Sequence, residues 1–300
     1  MKVDVDKLSF KLKEKGLTKS SLVDVLGLSS RTIAKFAKSE DVSLDVVSKI
    51  SGYLGCKPED ILEINEVLRK LKQEKQFKLS GGFYHNTQIK LTYNSNHIEG
   101  STLTEEQTRY IFETKMLGDL RSDAKLDDVI ETNNHFRCID YIIDYADVEL
   151  DEKFIGNLHF LLMQGTSHSG VYGAGVYKKF PNTVGGIETA RPEDVSSALN
   201  KLLKKYKSIK TKTFEDIVEF HYDFERIHPF QDGNGRVGRL IAFKECLKNN
   251  IVPFFIDDRY KVQHYKGLSA WGTERGYLLE TCRFGQDMYK RICDYFDVKY

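Results

Sequence analysis

Within twelve residues, His228-Pro229-Phe230-Gln231-Asp232-Gly233-Asn234-Gly235-Arg236-Val237-Gly238-Arg239 gathers the groups that a phosphoryl- or nucleotidyl-type transfer needs. His228 offers the one side chain tuned to exchange protons near neutral pH. Asp232 offers a hard oxygen ligand suited to Mg²⁺ bridging phosphates. Gly233-Asn234-Gly235 permits positive φ and close backbone approach. It leads into a helix start, where free N–H groups and the dipole form an anion site. Arg236 and Arg239 lie three apart, share a helix face and can fork onto phosphate oxygens. Each signal alone is weak, since a single His is commonly a satisfied core residue and Gly-Asn-Gly is usually just a turn. Their combination in one loop carries the reading.

The flanking segments supply the scaffold. FEDIVEFHYDFERI, before the motif, reads as an amphipathic helix, and LIAFKECLKN after it continues as another. Further helices are expected near 84–96, 104–116, 124–146, 151–164, 191–206, 213–226, 234–249, 258–271 and 274–298. Gly170 through Gly186 is rich in Gly and β-formers and predicts a β-hairpin. The first 65 residues read as a string of short helices. Leu8, Leu12 and Leu17 line the first and Gly16 stops it; Thr18 or Ser20 caps the second; Ser29 or Ser30 caps the third; SLDVVSKISGYLG is a fourth; and Pro58 opens a last short turn. The expected fold class is mainly α, with residues 1–65 as one domain, 66–80 as a charged helical connector and 81–300 as a second domain.

With 300 residues, 40% hydrophobic and 30% charged, the chain has material for a sizeable core. A formal net charge of +1 argues against a nucleic-acid coat or a polybasic membrane binder. The five cysteines (Cys56, Cys138, Cys246, Cys282, Cys293) form no C-x-x-C pair, which fits a reducing compartment better than a disulfide framework or zinc site. The start of the chain lacks the apolar run of a secretory signal, and no 18-residue apolar stretch occurs, so a cytoplasmic protein without a membrane partner is expected.

Two family resemblances follow. Leu22, Gly27, Leu28, Ser30, Thr32, Ile33, Val42-Ser43-Leu44 and Leu54-Gly55-Cys56 resemble the Cro/repressor-like helix-turn-helix family. That resemblance implies a recognition helix from Ser29 to Lys38 that offers Ser30, Arg31, Lys35 and Lys38 to a major groove, with residues 18–40 facing DNA. Residues 1–60 hold 11 Lys plus Arg against 9 Asp plus Glu, a thin basic footprint, so DNA binding and protein docking both stay open. The 228–239 segment is similar to the Fic family motif H-x-F-x-[DE]-G-N-G-R-x-x-R at every specified position. The resemblance implies a helical Fic core that uses ATP and Mg²⁺ to place AMP on a protein hydroxyl. His228 would be the base, Phe230 the loop anchor and Asp232 the metal ligand. Gly233, Asn234 and Gly235 would cradle the α-phosphate, Arg236 the β-phosphate and Arg239 the γ-phosphate.

Three more regions match. Gly175-Val176-Tyr177-Lys178 with Asn182-Thr183-Val184-Gly185-Gly186 looks like the family's flap, which registers a target segment by strand addition; Lys178 stands where Arg is frequent. His264-Tyr265 falls where the family sets aromatics against adenine, with Gly272 in place of an Asn; UTP or GTP stays open beside ATP. Ser95-Asn96-His97-Ile98-Glu99-Gly100 resembles the inhibitory motif [ST]-x-x-x-E-[GN], on a helix near 91–100. There Glu99 would pair with Arg239 and occupy the place of the γ-phosphate. The expected partners are ATP, DNA, and a protein with a Tyr, Ser or Thr hydroxyl, the chain itself included; a homodimer is left open. Removal of AMP, transfer of another group, and a DNA-binding regulator with a nucleotide-sensing Fic domain are the alternative functions.

Overall fold

Helices begin where the sequence provides caps. Thr213 and Asp216 close a capping box on α12 (Phe214–Ile227), Thr104 and Gln107 close one on α7 (Glu105–Thr114), and Asp151 caps α9 (Glu152–Met163). The computed structural model describes residues 2–38, 40–116, 124–184 and 187–300, which are mostly helical. They form two compact units, Met1–Asn65 and Glu66–Tyr300.

The smaller unit holds α1 (Val5–Glu14), α2 (Ser21–Leu26), α3 (Ser30–Ala37), α4 (Leu44–Leu54) and a 3₁₀ turn at Pro58–Asp60. Leu8, Leu12, Leu22, Phe36, Val47 and Ile50 meet in its core. The Thr18 hydroxyl, rather than that of Ser20, bonds the start of α2, and Ser29, rather than Ser30, caps α3. Gly27 turns between them at φ 64°, a left-handed conformation that Gly adopts without strain.

The larger unit is built around α13 (Asn234–Lys248). This helix is buried on all sides, from Val237 to Leu247, as expected of a central helix. It packs against α12 and α9, and against α8 (Leu126–Asp144) and α6 (Phe83–Ile98). The remaining helices are α5 (Glu66–Phe77), α10 (Ser167–Tyr172), α11 (Val195–Ser208), α14 (Lys261–Ala270) and α15 (Gly276–Tyr295). The stretch expected as a connector is α5, and it belongs to the core: Val67, Leu68 and Leu71 are buried with the larger unit's cluster. Charge on one face had masked an apolar stripe on the other.

The hairpin expected over 170–186 is far shorter. Thr166 caps Ser169, which turns 167–172 into α10. The antiparallel pair is only β1 (Thr183–Val184) with β2 (Ile187–Glu188), in the register Thr183 to Glu188. Gly185 and Gly186 lie outside the described residues. No helix among the described residues is long and apolar enough to cross a membrane.

Candidate active site

His228 ends α12 in the left-handed region, at φ 51°. Such a φ is uncommon for a non-glycine residue and marks a backbone held by its surroundings. Its N–H closes the helix on Phe224 O at 2.9 Å. Its Nδ1 sits 3.3 Å from Glu225 O and 3.8 Å from Glu225 Oε2. Burial, reinforced by the Lys178 ammonium, pushes its pKa down to about 4. The ring is therefore neutral at pH 7, and with Nδ1 engaged it presents Nε2 as a base. It lines a cleft of about 450 Å³ together with Glu99, Thr183, Val184, Glu225 and Tyr265.

The loop after His228 is fixed from inside. Phe230 is fully buried and stacks face to face on His159 of α9, with centroids 3.7 Å apart. The Asn234 side chain closes the loop on itself, accepting from Phe230 N and donating to Phe230 O, each at 2.8 Å. His159 Nδ1 accepts from Gly175 N–H at 2.8 Å, so Nε2 carries the proton and donates to Asp232 O at 3.1 Å. Burial pushes the pKa of His159 down to about 4, consistent with this neutral tautomer. One imidazole thus ties the Gly175 segment, the Phe230 anchor and the Asp232 turn together. No sequence signal marked His159; it looks like any apolar-face histidine on α9.

Gly233 begins α13 at φ 76°. A Cβ there would meet Met163 Sδ at 3.0 Å, so both backbone and space require glycine. The Asp232 carboxylate accepts from Gly233 N–H at 2.7 Å and stays partly exposed, with His168 Nδ1 3.6 Å away and Arg236 Nη2 3.8 Å away. One open carboxylate fits a Mg²⁺ held mostly by phosphate oxygens and water. No cluster of three or more metal-binding side chains occurs among the described residues, so any cation here would need the nucleotide for most of its ligands.

Arg236 is buried and paired with Glu131 of α8. Arg239 is held by three bonds from α6 and its end: Nε to Ser95 Oγ at 3.1 Å, Nη2 to Ser95 O at 3.0 Å, and Nη2 to Glu99 Oε1 at 2.7 Å. Glu99 caps the C-terminal end of α6. Burial works against its charged form, but Arg239 and Arg236 outweigh it and hold its carboxyl below the usual range. A Cβ placed on Gly235 would run into Glu99 Oε1. The carboxylate therefore lies directly over the first turn of α13, where that helix presents its N–H groups.

The two aromatics after the motif separate. Tyr265 lines the cleft with Leu268 and Ser269. His264 does not: it is buried, and its Nε2 meets His221 Nε2 at 3.1 Å. The expected His264 contact with a base is thereby corrected, because the Tyr222 and Tyr265 rings, not His264, face the cleft. Asn182 binds Phe230 O at 3.3 Å, and Lys178 Nζ binds Asn182, Thr189 and Ile227 O, so the hairpin is stitched to the His228 loop. Sequence reasoning missed Glu131, His168, His221 and Glu225. The last two lie seven and three residues before His228 on α12, a spacing that periodicity alone could have revealed.

Comparisons with known proteins agree with this picture. Residues 149–245 match the Fic/DOC family, and residues 7–66 match the Cro/C1-type HTH DNA-binding domain. The chain is 28% identical over 244 residues to a Drosophila melanogaster protein named protein adenylyltransferase Fic, covering 79% of this chain and 45% of that protein. The Drosophila mojavensis protein of the same name is 26% identical over 242 residues, with 79% and 44% covered. The chain thus spans less than half the length of these relatives. Among solved structures, a Fic domain containing signaling protein from Bacteroides thetaiotaomicron superposes with a TM-score of 0.59 at 24% identity, covering 76% of this chain and 94% of that one. Fic-1 from C. elegans gives 0.59 at 19% identity, with 94% and 80% covered. By these matches, residues 149–245 of this chain are similar to the Fic/DOC family and residues 7–66 to the Cro/C1-type HTH DNA-binding domain.

Proposed function

We propose that the chain is a protein adenylyltransferase restrained by Glu99. The single observation that carries this is the arrangement around α13: a neutral His228 opening on a cleft, a glycine turn leading into a helix N-terminus, and a carboxylate from another helix seated on Arg239. A target hydroxyl at the hairpin edge gives its proton to His228 Nε2 as its oxygen attacks the α-phosphorus of ATP; pyrophosphate leaves. The N–H groups of Gly233, Asn234 and Gly235 steady the α-phosphate, while Arg236 and Arg239 steady the outer phosphates. Bound at Asp232, Mg²⁺ would neutralise charge on the phosphates. Tyr265 and Tyr222 give the nucleobase an aromatic wall. With Glu99 on Arg239, the γ-phosphate has a competitor, and a misplaced nucleotide reacts slowly. The relatives named adenylyltransferase support ATP as the donor.

The smaller unit adds a second function, docking on DNA, through α3. Arg31 and Lys38 of this segment are exposed, whereas Lys35 donates to Asp41 O at 3.2 Å. The test is incubation of the full chain with labelled ATP and Mg²⁺. Labelling should rise in Glu99→Gly and vanish in Glu99→Gly with His228→Ala. No gain on removing Glu99 sinks the brake. Persistence of label without His228 sinks the assigned base.

A further inference from the structure

Behind the imidazole of His228 lies a carboxyl that the reaction above does not use. Glu225 stands one turn back on α12 and is buried. Among the described residues, only His228 comes within ion-pairing distance of its oxygens, Nδ1 to Oε2 at 3.8 Å. Its other oxygen, Oε1, is buried without a hydrogen-bond partner. A Cβ on Gly238 would meet that oxygen at 2.7 Å, so glycine at 238 is what leaves room for the carboxyl. Burying an unpaired carboxylate is expensive, and the group keeps its proton instead.

We propose that Glu225 is the positioning residue of His228: an uncharged carboxyl that, with the Glu225 carbonyl, faces Nδ1–H and so leaves Nε2 bare for the hydroxyl proton. This rests on His228 being the base of the transfer reaction. Its charge state matters because an anion at that distance would favour imidazolium and consume the base before substrate arrives. The Glu225 carbonyl accepts Nδ1–H at 3.3 Å, and a neutral carboxyl beside it, at 3.8 Å, supports that tautomer without that cost. The groups around the carboxyl are consistent with it. Arg239 of α13 pulls toward ionisation and Glu99 pushes against it, but burial is the largest effect and raises the Glu225 pKa to about 8. His221, on the same helix, is itself held neutral by burial and bonds His264 of α14. The protons balance simply: the hydroxyl proton goes to Nε2, Nδ1 keeps its own, and Glu225 keeps its own.

The test uses the full chain in the Glu99→Gly background. Glu225→Gln keeps a neutral acceptor and should hold kcat within about threefold. Glu225→Leu, with Glu225→Met as a second apolar replacement, should lower kcat by about tenfold or more while the KM for ATP stays put. The kcat profile of the parent should bend somewhat below pH 8, since removing the Glu99 charge eases the ionisation of Glu225, and the bend should be absent in Glu225→Gln. Nitrogen-15 NMR of His228, assigned by its loss in His228→Ala, should show the Nδ1–H tautomer in the parent and in Glu225→Gln, and a mixture in the apolar variants. Equal damage from Gln and Leu would mean that the charge is required and overturns the proposal. So would full activity with an unchanged tautomer in Leu and Met. If the Glu99→Gly parent transfers nothing, the transfer reading fails, and the tautomer spectra still decide the role of Glu225.

Discussion

At the scale of single residues, the site depends on contacts that exclude each other. Arg239 has one guanidinium and two claimants, the Glu99 carboxylate and an outer phosphate. The 2.7 Å bond is charge-assisted and its guanidinium end is buried, so its loss should matter more than that of a fully exposed surface pair. Glu99→Gln keeps the shape and removes the charge. It should release part of the brake, with ATP affinity rising by less than in Glu99→Gly, as measured by calorimetric titration with a non-hydrolysable ATP analogue. His159 is the opposite case, a residue with no rival partner. Replacing it with Ala removes the ring beneath Phe230 and leaves Gly175 N–H and Asp232 O without their bonds. The cost should be about 2–4 kcal/mol, combining a cavity with two unsatisfied backbone groups. Urea unfolding followed by the single tryptophan, Trp271, measures it.

At the scale of elements, the hairpin depends on one buried lysine. Lys178 Nζ donates to Asn182 Oδ1, Thr189 Oγ1 and Ile227 O, and its own N–H donates to Pro229 O at 2.9 Å. Lys178→Met keeps the stem and cuts the Nζ bonds. It should raise the KM for a protein target several-fold and leave ATP binding nearly unchanged, which separate titrations of the two substrates would show. In α3, Arg31→Ala should weaken DNA binding and lower the salt slope by about one, read from mobility shifts over a salt series. An unaltered slope would point to protein docking by this unit instead. Helix positions were legible in the sequence because caps and 3.6-residue periodicity are local: Thr213 and Asp216 at α12, Asp151 at α9. The motif loop was legible because its chemistry sits within one segment. The hairpin was misjudged because the preference of Thr166 for a helix cap outweighs the β-formers that follow. His159 and Glu131 stayed hidden because their roles arise only when α8 and α9 pack on α13, whereas the spacing of Glu225 to His228 was there to be read along α12.

At the scale of the molecule, the larger unit keeps an unusual number of imidazoles away from water, and this sets its response to acid. Among the described residues, burial lowers the pKa of His85, His135, His159, His221, His228 and His264. Each has a folded pKa below its unfolded value, so each begins to favour the unfolded chain as pH falls through about 6.5. Glu225, Asp140 and Glu131 act the other way, because burial raises their pKa and the folded chain holds their protons first. The six imidazoles outnumber those three carboxyls. Between about pH 6.5 and 4.5 the unfolded chain should therefore bind up to roughly three more protons than the folded one, or roughly 4 kcal/mol per pH unit at most. A domain of ordinary stability cannot withstand much of that. Unfolding in mild acid, near pH 5, is the expected outcome, well above the range in which carboxylate pairs such as Glu99–Arg239 are themselves neutralised. Trp271 is buried against Tyr222 in this unit, so its fluorescence should report the transition directly. Thermal melts at pH 7, 6 and 5 should show a falling Tm with the steepest loss below pH 6. A flat Tm over that range would mean that these histidines take up protons in the folded state, and that the neutral ring assigned to His228 is wrong.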